Sequence, residues 1–206
     1  LKIAEAHRRL GFLVESARLF QSLVRDAKAE KFHEAALMGL AYSYMEQKDM
    51  RAARSVFERY RLEFPTGRFS GEALRGILNS FEGEGNLAAL LKLGKQWLAH
   101  NPRHHDRTMV QLKLAAALAQ SKQPAEAAAI YDGLIKAGQE LPAADLLRHA
   151  EVLARLNRRS QALSMYKEAV VAGLEPEQEA WAQLQMVQLA RGEKREDFAK
   201  NGLRAL

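Results

Sequence analysis

Between Glu34 and Arg68, apolar side chains recur three and four residues apart, stop, and then recur again. Leu37, Leu40, Ala41 and Tyr44 fall on one helical face, Lys48-Asp49 interrupts them, and Ala53, Phe57 and Tyr60 form a second stripe that ends at Pro65. The pattern predicts two helices joined by a short turn. Ala41 and Ala53 are expected where the two helices cross, because a larger side chain at either place would force the axes apart.

The same two-stripe pattern returns along the chain. Ile3, Ala4 and His7 precede a break at Gly11, and Ser16, Phe20 and Leu23 follow it. A third unit reads Leu74, Ile77, Leu78 and Phe81, a break at Gly85-Asn86, then Leu90, Gly94 and Trp97 before Pro102. Here Leu90 and Gly94 exchange the usual sizes, which reads as a volume swap within one packed layer. The fourth unit has Leu114, Ala115 and Leu118, a break at Lys122-Gln123-Pro124, then Ala127, Tyr131 and Leu134. Pro124 suits the first turn of a helix, where its missing N–H would have no partner. The fifth has Leu146, His149, Ala150 and Leu153, a break at Asn157-Arg158, then Ala162, Tyr166 and Ala169. A sixth opens on Trp181 and Leu184 and is expected to break at Arg191-Gly192. The charged stretch that follows carries only Phe198, Leu203 and Leu206, as an end cap or a shortened helix. From Phe20 through Phe57, Gly94 and Tyr131 to Tyr166, one position of the pattern recurs at intervals of 37, 37, 37 and 35 residues.

This arrangement resembles the tetratricopeptide repeat, W-x2-L-G-x2-Y…A-x3-F…P, with Leu37 in the Trp place and Ala41 in the Gly place, followed by Tyr44, Ala53, Phe57 and Pro65. The resemblance covers nearly the whole chain. It implies an all-α fold, a right-handed superhelical array of antiparallel helix pairs in about six units: 1-30, 34-68, 71-103, 108-140, 143-175 and 178-206 of a single array over 1-206. Repeats of 36 or 37 residues with the junction Phe64-Pro65-Thr66-Gly67-Arg68-Phe69-Ser70-Gly71-Glu72-Ala73 are also similar to those of bacterial envelope lipoproteins and periplasmic coordinators. That similarity inclines the compartment toward the bacterial periplasm or envelope.

Composition agrees with closely packed helices. Apolar residues make up 48% and aromatics only 7%, where a sheet would call for more aromatic and β-branched side chains. The five prolines lie near the expected helix junctions. With no cysteine, disulfides, thiolate metal sites and cysteine nucleophiles are excluded. No run of about 18 apolar residues is present to cross a membrane. The chain opens on Leu1 inside a helical stripe, without an initiator Met, and so reads as a segment of a longer protein. The net charge of +6, from 31 basic and 25 acidic residues, is spread out, whereas a nucleic-acid binder concentrates its charge in a stripe.

Candidate chemistry is sparse. His100-Asn101-Pro102-Arg103-His104-His105-Asp106 holds imidazoles and a carboxylate, but adjacent His residues are expected to point apart, no His pair stands at i and i+4, and Arg103 and Arg107 would repel a cation. The stretch reads as a solvated turn, with no metal and no cofactor expected. Gly83-Glu84-Gly85 ends a helix and follows no strand, so it is not a phosphate loop. Ser, His and Asp are scattered without a nucleophile elbow, so no catalytic residue is expected and the chain is not read as an enzyme. Arg155, Arg158 and Arg159 suit the negative end of a helix dipole, and are also placed to meet an acidic partner.

The resemblance implies a protein-binding scaffold in which the first helix of each unit lines a concave groove that takes a peptide or helix of another protein. The residues expected to face that groove are Met38, Tyr42 and Met45, then Arg75, Asn79 and Glu82, then Leu112, Ala116 and Ala119, then Leu147, Glu151 and Arg155. Among these Met38, Tyr42, Met45, Arg75, Asn79, Leu112 and Glu151 form the candidate partner site. Arg75 and Asn79 are similar to half of the carboxylate clamp of chaperone-binding relatives, but Leu112 and Ala116 leave out the other half. The alternative is an RNA-binding helical repeat reading one base per unit, for which Tyr42, Asn79, Ala116 and Glu151 supply no recurring code. Self-association through the ends is a third reading.

Overall fold

The computed structural model describes residues 1–203, with side-chain surroundings through Arg191 apart from Ala27. Among the described residues there are eleven α-helices and no strand. They are α1 (Lys2–Arg9), α2 (Leu13–Arg25), α3 (Glu30–Glu46), α4 (Met50–Glu63), α5 (Ser70–Gly83), α6 (Leu87–His100), α7 (Arg107–Gln120), α8 (Pro124–Lys136), α9 (Ala143–Arg155), α10 (Arg159–Val171) and α11 (Pro176–Leu203), with a 3-10 turn at Ala27–Ala29. The chain divides into two compact units, Leu1–Val110 and Gln111–Leu206. Within the first, α1 through α5 each pack on the next helix in chain order, and α5 packs on α6; within the second, α8 through α11 do the same.

Every helix pair turns on one residue in the left-handed region. Gly11, Lys48, Gly85, Lys122 and Asn157 have φ between 59° and 83° and stand 37, 37, 37 and 35 residues apart. In each case the following N–H reaches back across the turn: Asp49 donates to the Tyr44 carbonyl at 3.0 Å, Asn86 to Phe81 at 2.8 Å, Gln123 to Leu118 at 3.0 Å and Arg158 to Leu153 at 2.9 Å. These bonds satisfy carbonyls that the ending helix would leave open. Asp49 and Asn86 then start the next helix, accepting from the N–H of Ala52 at 3.0 Å and of Ala89 at 3.2 Å. Pro124 opens α8 as its position predicts.

In the first unit the core is built from rings laid against bare helix backbone. A β-carbon at Gly39 of α3 would sit 2.3 Å from the Phe20 ring of α2, and one at Gly76 of α5 would sit 2.4 Å from the Phe57 ring of α4. Ala41, Ala53 and Phe57 are fully buried around this contact. A short polar chain is enclosed with them: Ser16 Oγ donates to the Ala4 carbonyl at 2.9 Å and lies 3.0 Å from Ser43 Oγ, which donates to the Gly39 carbonyl at 2.9 Å. In the second unit Ala115, Tyr131, Ala150 and Tyr166 are all at most 1% exposed, with Tyr131 stacked on His149 at 5.1 Å between ring centres.

Two expectations are corrected. No break occurs at Arg191-Gly192; α11 runs through it to Leu203. A lone glycine costs a helix only about 1 kcal/mol, and here charged helix formers follow it, with no proline and no polar turn to stop the chain. The side chains of Phe198 and Leu203, and Leu206 altogether, lie outside the described residues. Met38, Ala116, Ala119 and Leu147 were expected to face a groove, yet they are buried at 4 to 7% exposure. The first helices are enclosed on two sides: α3 packs on both α2 and α4, and α9 on both α8 and α10. Apolar residues therefore occupy more than one stripe, as Ala36, Leu37, Met38, Leu40 and Ala41 do on α3.

Gly39→Ala and Gly76→Ala are each expected to cost about 1–3 kcal/mol, because the added methyl overlaps a buried ring; thermal or urea unfolding of each variant measures it. At Lys48 and Lys122 the reverse holds. Replacing either by Gly removes a left-handed penalty of about 1–2 kcal/mol, partly offset by the freer unfolded chain, so the melting temperature should rise. Asn157→Gly, where Asn already tolerates the conformation, should change it least.

Candidate functional site

In the first unit, α1, α3 and α5 bring together side chains that the core does not use. Tyr42 of α3 is half-buried with its ring edge-on to Phe57 at 5.5 Å, and its hydroxyl donates a long hydrogen bond, 3.4 Å, to Glu72 Oε2 of α5. The Arg8 guanidinium lies 5.9 Å from the centre of the same ring and is paired with Glu46 one turn further along α3. Burial, and then the Glu72 carboxylate, push the Tyr42 phenol above its ordinary range, so at neutral pH it is a neutral donor; Arg75 and Arg8 pull weakly the other way. Arg75 is exposed on α5. One turn on, the Asn79 amide oxygen is enclosed and accepts no hydrogen bond. Met45 is half-buried beside Tyr42 in the rim of the core, and Met38 lies beneath in its interior.

The structure thus gathers Tyr42, Met45, Arg75 and Asn79 on helices of one unit and adds two residues that the apolar pattern did not single out. Arg8 and Glu72 are legible only once the partners across α1, α3 and α5 are known, since a charged residue on a helix usually marks no more than its solvated face.

The second unit holds Leu112, half-buried on α7, and Glu151, half-buried on α9. Glu151 Oε1 accepts from the indole Nε1 of Trp181 on α11 at 3.0 Å, beside a hollow of about 350 Å³ lined by Leu147, Arg148, Glu177 and Gln178 as well. Trp181 was expected in a core stripe and is 47% exposed, because α11 packs on α10 and turns this edge outward. Two of the three arginines are internal tethers. Arg155 Nη1 donates to the Ala119 carbonyl near the end of α7 at 2.8 Å, and Arg158 donates through both terminal nitrogens to Asp132 Oδ2 at 3.1 Å.

Asp132 also faces a histidine. His149 is 1% exposed, its Nε2 is 3.1 Å from Asp132 Oδ1, and its ring lies on Tyr131. A cleft of about 330 Å³ opens there, lined by Ile135, Leu153, Met165, Gln161 and Ser164 in addition. Burial pulls the His149 imidazolium below the ordinary value of 6.5; Arg158 adds to that, while Asp132 and Glu168 oppose it. The three polar residues form one charge-compensated cluster, which reads as a structural tie between α8, α9 and the turn before α10.

The turn before α7 departs from expectation. The His104 and His105 rings stack at 4.2 Å instead of pointing apart, and both face the Asp106 carboxylate. Two neighbouring residues in an irregular turn need not alternate as they would along a strand.

Residues 35–67 match the tetratricopeptide repeat family. No curated protein sequence is significantly similar to the chain. Among solved structures, YrrB, described as a TPR protein with an unusual peptide-binding site, superposes with a TM-score of 0.59 at 14% identity, covering 89% of this chain and 89% of that one. A tetratricopeptide repeat protein from Parabacteroides merdae gives 0.63 at 14% identity, over 91% of this chain and 68% of that one. Nearly identical TPR-like repeats designated kinesin light chain, from Podosopora anserina, give 0.63 at 16% identity, over 83% and 91%. The chain therefore carries a tetratricopeptide repeat at 35–67 and has the tetratricopeptide fold.

A buried histidine held neutral makes stability depend on acid. Its folded value is lowered, so its contribution is complete above the unfolded value of 6.5 and is lost as the pH falls from there through the folded one. The melting temperature of the wild type should decline as the pH drops below about 6.5, more steeply than that of His149→Phe, which keeps a ring against Tyr131 and titrates nowhere.

Proposed function

From the tetratricopeptide fold as premise, we propose that the chain is a non-enzymatic protein-interaction scaffold, and that the face of α1, α3 and α5 takes a peptide or helical segment of another protein. The observation that carries this reading is the half-buried Tyr42, whose hydroxyl stands by Glu72 and the exposed Arg75. Tyr42 is the anchor: its ring is already immobilised on Phe57, so little side-chain entropy remains to be lost on binding. Met45 supplies an adaptable apolar rim and Met38 the packing beneath it. Arg75 orients a polar or acidic group of the partner. Leu112 and Glu151, on first helices of the second unit, are proposed contacts of that unit.

YrrB shares this fold and has a peptide-binding site of its own, which lends support to a peptide ligand here. The similarity of the Phe64–Ala73 junction to envelope repeats supports a place in a bacterial envelope assembly. Among the described residues no helix is long and apolar enough to cross a membrane.

Arg75→Ala should weaken capture of partner proteins from the source cell by about 1–3 kcal/mol, and Tyr42→Phe, which keeps the ring and loses the hydroxyl, by about 1 kcal/mol. Both should melt within a degree or two of wild type. Arg51→Ala, at a side chain 89% exposed on α4, is the control. Loss of capture in the control with normal capture by both face variants would move the binding surface to the α4 side.

A further inference from the structure

On a chain whose net charge is +6, the edge between α9 and α11 gathers carboxylates around an open indole. Trp181 is 47% exposed, yet its ring is held in place, because Nε1 donates to Glu151 Oε1 at 3.0 Å. Two hollows, of about 350 and 390 Å³, share Trp181 and Glu151 as walls. The first is completed by Glu177 and Arg148 and by the apolar side chains of Ala144 and Leu147. We propose that this first hollow takes an arginine side chain from a segment of another protein, its guanidinium against the Trp181 indole and facing the Glu151 and Glu177 carboxylates.

The charges around the hollow favour a cation. Arg148, the basic side chain of its wall, is already engaged by Asp145 at 3.0 Å. Two carboxylates remain beyond that pair. Arg155, one turn further along α9, lines the second hollow instead, and its Nη1 donates to the Ala119 carbonyl at 2.8 Å. An acidic first turn suits any helix dipole and accounts for Glu177 at the start of α11. It does not account for Glu151, which comes from α9, or for an indole left half in solvent. An aromatic face beside carboxylates attracts a guanidinium through the ring quadrupole and through the charge, and a planar guanidinium stacks where an ammonium cannot. The aliphatic stem of the same arginine can lie along Ala144 and Leu147. Leu184 and Val187, 49% and 50% exposed further along α11, would meet apolar neighbours of that arginine. This site presupposes that the chain is a protein-interaction scaffold, and names the chemistry of what its second unit takes.

The test follows the two indole N–H signals of the whole chain in a proton–nitrogen correlation spectrum, that of Trp181 being the one lost in Trp181→Phe. Titration with a capped pentapeptide of alanine around a central arginine should move the Trp181 signal saturably and leave that of Trp97, only 9% exposed, in place. Versions with a central leucine or glutamate should move neither. Glu177→Gln, at an exposed position, should weaken binding of the arginine peptide about threefold. Glu140→Gln, exposed between α8 and α9, should bind as wild type does. A Trp181 signal unmoved by the arginine peptide, an equal shift with the leucine peptide, or unchanged affinity in Glu177→Gln would each overturn the assignment. The face of α1, α3 and α5 is judged separately by capture with Arg75→Ala, so either site can fail without the other.

Discussion

An aromatic ring pressed on a helix that offers no β-carbon sets the dimensions of the first unit. Phe20 meets Gly39 and Phe57 meets Gly76, in both cases 19 residues apart. That spacing carries the chain from the middle of a second helix, through the inter-repeat turn, to the middle of the next first helix. The contact fixes how far one helix can slide along the other, because a shift of a single residue would bring a side chain under the ring. The second unit keeps the geometry with different chemistry: Tyr131 lies on His149 and the neighbouring Ala150 is fully buried. Tyrosine adds a hydroxyl that needs a partner, and Tyr131 finds Asp145 at 3.4 Å.

The repeat was legible because its marks are local. Breaks at Gly11, Lys48-Asp49, Gly85-Asn86 and Asn157-Arg158 are places where the apolar period stops, and the chain turns at each of them. Ala41, Phe57, Tyr131 and Tyr166 were legible as core for the same reason. The glycine half of the ring contact was not, since Gly39 and Gly76 look like neutral helix positions until a ring from another helix is placed over them. The helical run through Gly192 was missed because a glycine stops a helix only when a turn outside it has something to offer.

Reading the open face was harder. A first helix packed on both sides leaves only a narrow strip outward, so a residue one position off that strip is enclosed. Met38 falls off the strip and is enclosed, while Tyr42, one turn later, straddles its edge. Arg8, Glu46 and Glu72 reach that face from positions that a single-helix pattern assigns to solvent, and their pairing with one another and with Tyr42 exists only across helices. Trp181 shows the opposite error: its size argued for the core, but an indole with one N–H bound to Glu151 can sit at an edge.

The left-handed lysines have a consequence for colloidal behaviour. At the equivalent turns Gly11 and Gly85 relax the backbone, while Lys48 and Lys122 hold the same conformation with a β-carbon and place an ammonium group at the exposed rim of a helix pair. Two of the surplus positive charges therefore stand on projecting corners, where close approach of another molecule would begin. Each of these strained positions therefore also carries a charge that adds to the repulsion between copies of the chain, and a glycine there would remove both strain and charge.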